Sequence, residues 1–135
     1  MLIDGVIELL AADTGVTTLV SDRLYKGVLP RGYTLPAIAA HRYGGTQEYE
    51  YAGPIDSSED QIQLDVYGED ADSCLQVVTA VKAVLNPFVG TLPDGTVVKA
   101  CYLERDMDMP FLPHADTKGL AFRSLLGYRM VTQSS

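Results

Sequence analysis

Cysteine and histidine are scarce in this 135-residue chain, two of each. Cys74 and Cys101 stand far apart in apolar surroundings, and a metal site would need more ligands than they supply. Free cysteine packs as a small hydrophobe, so two reduced, buried thiols are expected, in a protein made in the cytoplasm and kept there until it joins something larger. His41 and His114 have no serine or cysteine beside them in a pattern such as G-x-S-x-G, although a nucleophile and base can converge from distant positions. A glycine-rich phosphate cradle is missing too: Gly44-Gly45 and Gly53-Pro54 lack the lysine and the strand-to-helix context that one requires. Positive charge is also short, with 10 Lys and Arg against 18 Asp and Glu and a formal charge of -8. Duplex DNA and anionic lipid reward basic clusters, so the charge argues against nonspecific binding to either and favours solubility. No apolar run approaches the roughly 20 residues of a membrane-spanning helix, and the opening Met-Leu-Ile-Asp has no basic leader region.

What remains is a chain that is 47% hydrophobic and 21% charged, a balance that argues for a folded globule. Its length fits one domain over residues 1–135, able to bury about two thirds of its unfolded surface. Ile3, Val6, Ile7 and Leu10 recur at i, i+3, i+4 and i+7, which predicts a first helix ending near Ala12 with Glu8 turned away. Asp13 or Thr14 can cap a short second helix carrying Val16, Leu19 and Val20. Pro30 and Pro36 bracket a loop, and Ala37 to Tyr43 reads as a strand stopping at Gly44-Gly45. Gln61 to Tyr67 alternates apolar Ile62, Leu64 and Val66 with polar neighbours, which predicts a strand near the centre of a sheet with one buried face.

Cys74, Val77, Val78, Val81, Val84 and Leu85 then form a helical stripe that Pro87 should end, because a proline ring clashes one turn back. Pro93-Asp94-Gly95 signals a turn between antiparallel strands. Thr96 to Asp108 and Leu120 to Val131 read as a final hairpin closed by residues 110–119. The predicted class is α+β, a mostly antiparallel sheet with two main helices and the short one packed on one face.

Three features invite a functional reading. Glu104, Asp106 and Asp108 lie at i, i+2 and i+4, so an uninterrupted strand would put all three on one face, neighbours about 6.6 Å apart. Such a row cannot close around one cation without other segments. It reads either as a solvated acidic face with Arg105 opposite or as a charged stripe that keeps DNA from sticking. Glu48-Tyr49-Glu50-Tyr51 reads as a surface loop or a projecting hairpin arm, with Tyr49 and Tyr51 suited to an interface. Phe111 and Leu112, set between Pro110 and Pro113, are either tucked under the sheet or pressed on a neighbour.

The run from 9 to 38, LLAADTGVTTLVSDRLYKGVLPRGYTLPAI, resembles the opening of the small tail-completion, or tail-terminator, proteins of long-tailed phages. The resemblance continues through LPAIAAHRYGG and IQLDVYGEDADSCLQVVTAVKAVL to a terminal strand. It implies an α+β domain that assembles into a ring, a hexamer by expectation, on the end of the tail tube. There it would stop growth and offer the surface onto which the filled head docks. The implied partners are further copies of itself, the tail-tube protein and a head-tail connector protein, with DNA only passing through; no cofactor is implied. Arg23, Tyr25, Pro30, Pro36, Asp65 and Tyr67 match the family pattern. Arg23 and Asp65 read as polar fasteners, within a subunit or between subunits, and the prolines as loop stiffeners. A neck adaptor on the portal side is the alternative, and an enzyme or small-ligand module would need a deep pocket with convergent polar groups.

Overall fold

The computed structural model describes residues 2–27, 30, 34–50, 53–85, 88–113 and 120–133, and for 43–50, 53–57, 109–113 and 120–121 the backbone. Three helices, α1 (Leu2–Ala11), α2 (Thr14–Val20) and α3 (Ala71–Leu85), accompany six strands. These are β1 (Leu24–Lys26), β2 (Ala37–Glu50), β3 (Gly53–Gly68), β4 (Gly90–Thr91), β5 (Val97–Pro113) and β6 (Leu120–Gln133). They form one sheet in the order β1-β2-β3-β6-β5-β4, antiparallel except for the parallel β1–β2 pair. The class is therefore the α+β arrangement expected from the sequence.

The helices form where their apolar periodicity and caps agree. Ile3, Val6 and Leu10 of α1 are buried while Glu8 is exposed. Asp13 caps α2, its carboxylate accepting from the Val16 amide at 3.0 Å, and Asp70 accepts likewise from the Ser73 amide at 2.7 Å ahead of α3. Each such cap contributes about 1 kcal/mol. Cys74, Val77, Val78, Val81 and Leu85 face inward from α3. They join one core cluster with Ile62, Leu64 and Val66 of β3 and Leu126, Tyr128 and Met130 of β6. All three helices thus lie against the same face of the sheet, because only that face carries the apolar parity of each strand. Pro87, expected to end α3, lies outside the described residues.

Two strands run further than the sequence suggests. Gly44 and Gly45 do not stop β2; a register shift between Arg42 and Gly44 absorbs one extra residue and the ladder with β3 continues to Glu50 opposite Gly53. Backbone pairing also carries β5 to Pro113 opposite Leu120, past Pro110, with another irregularity between Met109 and Leu112. Long-range pairing overrides local breaker signals when a partner strand is already in place. The Pro93-Asp94-Gly95 turn is as expected: Gly95 takes φ +95° and its amide donates to the Leu92 carbonyl at 2.9 Å.

Tyr128 is fully buried, and its hydroxyl has no hydrogen-bond partner among the described residues. Burial pushes its phenol well above the ordinary range. An unsatisfied buried hydroxyl costs about 1–3 kcal/mol of desolvation, so Tyr128→Phe should leave stability unchanged or raise it by about 1 kcal/mol in urea unfolding. A loss greater than about 1 kcal/mol would mean that the hydroxyl is bonded in the folded protein.

Candidate assembly site on the open sheet face

The parity that buries Ile62, Leu64 and Val66 aims Glu59, Gln61, Gln63, Asp65 and Tyr67 of β3 at the other face, which no described helix covers. Opposite them on β6 stand Val131, Arg129, Gly127, Leu125 and Arg123. This face is charged yet internally matched. Asp65, 5% exposed, accepts from Gln63 Nε2 at 3.0 Å and from Arg123 Nη2 at 3.1 Å. The Arg123 guanidinium also sits 5.8 Å from the Tyr67 ring centroid. Arg129 lies 3.3 Å from both Glu59 and Glu104, and 4.8 Å from the centroid of the half-exposed Tyr102 ring. Arg105 drapes over Gly127, where an added Cβ would stand 3.0 Å from its Nε.

The acidic row expected on one face does not exist as a row. A register shift between Leu103 and Arg105 inserts one extra residue: Glu104 keeps the open-face side of Tyr102 and meets Arg129, while the residues after it change face. Asp106 and Asp108 are thereby shifted to the helix side, opposite Leu126 and Ser124. There Asp106 pairs with Lys82 of α3, and Asp108 accepts from the Ser124 hydroxyl at 2.7 Å. Ser124 in turn lies 3.4 Å from the Cys74 thiol. The three acids are exposed, as a solvated reading expects, but they do not form one face with Arg105 opposite, since Arg105 shares its face with Glu104.

The remaining sequence-derived candidates fall in several places. Arg23 is a fastener within the chain: its Nε donates to the Pro36 carbonyl at 2.8 Å and its Nη2 to Leu19 at 3.4 Å. Asp65 fastens within the chain too, through Arg123. Tyr25 sits on the short edge strand β1 opposite Ala39. Tyr49 is paired through its backbone with Pro54, in a hairpin arm rather than a loop, while Tyr51 lies outside the described residues. Phe111 and Leu112 belong to β5, Leu112 opposite Ala121, in a second arm at the far end of the sheet. The residues that the sequence reading missed are Arg123, Arg129, Glu59 and Tyr102. Arg123 and Arg129 share the odd parity of the last strand, opposite to apolar Leu126, Tyr128 and Met130, and that alternation was a usable signal.

A groove between α2 and α3, about 520 Å³, is lined by Leu19, Asp72, Leu75, Gln76 and Thr79. Among the described residues no group of three or more His, Cys, Asp or Glu could hold a metal ion, and no helix is long and apolar enough to cross a membrane. Cys74 and Cys101 are both buried, and burial pushes both thiols upward, away from nucleophilic thiolate.

Comparison with known proteins bears on this arrangement. The family model described as tail completion protein gp17 matches residues 4–132. The fold is similar to that of a chain in the virion of a native gene transfer agent particle, with a TM-score of 0.76 at 17% identity. That similarity covers 98% of this chain and 95% of the other. Among curated proteins none is significantly similar in sequence.

Proposed function

We propose, from the premise that the chain belongs to the tail completion protein gp17 family and is a structural component of the phage tail, that copies of it form a ring on the end of the tail tube. The ring, six subunits in the simplest form, ends tube polymerisation and presents the surface on which the filled head docks. Its partners are other copies of itself, the tail-tube protein and a head-tail connector protein. DNA passes through the central hole, and a charge of -8 per copy keeps phosphate from adhering. The observation that carries this reading is the family match across nearly the whole chain.

The geometry is in keeping with it. One face of the sheet is packed with helices and the other carries a network of ion pairs linking β3, β6 and β5, an arrangement suited to a stiff contact surface. Tyr25, Tyr49, Tyr51, Phe111 and Leu112 are the side chains assigned to contacts with neighbouring copies or with the tube. Electron microscopy of particles made without this protein tests the role. Filled heads beside overlong or unjoined tails are the expected result. Normal tails beside leaking heads would move the protein to the portal side of the neck and overturn the proposal.

A further inference from the structure

Both outer strands of the sheet are far shorter than the strands they cover. β1 pairs with β2 only at residues 38–40, and β4 pairs with β5 only at 97 and 98. Beyond those points the outer edge of β2, from His41 to Glu50, and that of β5, from Lys99 to Pro113, have no strand neighbour among the described residues. Unpaired edge amides and carbonyls are a template for another strand.

The two edges share a level on the sheet. Gly44 is opposite Gln61, Gln61 opposite Arg129, and Arg129 opposite Tyr102, so Gly44 and Tyr102 stand on one line across the strands. By the same ladder Arg42 is level with Leu103 and His41 with Arg105. The open stretches 41–46 and 100–105 therefore overlap over six residues and run in opposite directions. Their sequences, HRYGGT and ACYLER, hold neither the proline nor the lysine that commonly blocks an edge, whereas the rest of β5 carries Pro110 and Pro113. Each stretch has one bulge, at Tyr43 and Glu104, within one residue of the same level, so both edges bend together.

We infer that the β5 edge of one copy, residues 100–105, adds antiparallel to the β2 edge of the next, residues 41–46, with Tyr102 opposite Gly44. The inference rests on the ring reading and says which surfaces close it. A second copy is the occupant because the two free edges complement each other, and a head-to-tail contact repeated by rotation makes a ring. A foreign strand would fill only one of them. Half-exposed Tyr102, already backed by Arg129, would lay its ring over a glycine of the neighbour, where no side chain competes for the space.

Two measurements test it. In hydrogen exchange of purified particles against the isolated chain, peptides covering 41–46 and 100–105 should both slow by tenfold or more. Particles carrying Gly44→Cys with Tyr102→Cys, oxidised and run without reductant, should give a ladder of linked subunits, and each single variant should give monomer. Slow exchange together with the ladder supports the inference. Slow exchange without the ladder overturns it, since something other than the facing edge in this register then covers the strands. Exchange unchanged from the isolated chain overturns it as well, while lysine cross-linking of the same particles still detects oligomers if a ring exists. Absence of any cross-linked oligomer would instead overturn the ring reading itself.

Discussion

Gly68→Ala should lower stability by about 3 kcal/mol, at the upper end of what overpacking costs. Gly68 closes β3, and a Cβ placed on it would stand 2.7 Å from the Cys74 amide nitrogen, 2.9 Å from its Cα and 3.0 Å from its Cβ. The obstacle is backbone in the first turn of α3, which cannot step aside. The Cys74 amide already donates to the Asp70 carbonyl at 3.1 Å, and Ser73 is held by the Asp70 side chain. Relief would require moving the helix off the sheet, loosening Cys74, Val77 and Val78 from Val66 and Leu64. At about 3 °C per kcal/mol for a chain of this size, the midpoint should fall by roughly 9 °C. Gly127→Ala supplies the contrast, because its added methyl meets no backbone atom: the Arg105 Nε at 3.0 Å can swing away and only its Cβ at 3.2 Å must give slightly, so about 1–2 kcal/mol is expected there. Calorimetry giving the two variants the same midpoint would show that the β3–α3 junction is not tight.

The second large effect belongs to Asp65. Its carboxylate is almost fully buried and satisfies Arg123, whose side chain is 20% exposed, together with Gln63. Asp65→Ala leaves a guanidinium mostly out of water with its principal counterion gone. Breaking one partner of a buried pair costs about 3–5 kcal/mol, and the residual exposure of Arg123 and its stacking on Tyr67 bring the expectation to about 2–3 kcal/mol. Replacing both partners, as in Asp65→Leu with Arg123→Leu, should recover most of that loss, because the penalty comes from the stranded charge. Urea unfolding of the single and double variants checks it. An Asp65→Ala loss below about 0.5 kcal/mol, or losses that simply add, would mean that the pair does not fasten β3 to β6.

Helix positions were legible because they depend on neighbours in sequence: the 3.6-residue stripe of α3, the Asp13 cap and the apolar stripe of α1 need no distant partner. The buried face of β3 was legible from strict alternation. Where the strands ended was not, since Gly44, Gly45 and Pro110 are breakers only in isolation, and partner strands carried both ladders past them. The three acids show the limit most plainly. Period-two counting put Glu104, Asp106 and Asp108 on one face, and a single bulge at Glu104 moved Asp106 and Asp108 to the other.

Composition and apolar periodicity settled the class of the molecule: an acidic globule from the first, and from the second an α+β domain whose core lies on one face of a sheet. The tail-completion family was visible in the sequence as a resemblance, carried by residues 9–38 and 62–85. Which charges meet was decided only by tertiary structure. Asp65 finds Arg123 58 residues away, and Arg129 finds Glu59 at a separation of 70. Register across β3, β6 and β5 fixes such partners, and register is a property of paired strands that no single segment encodes.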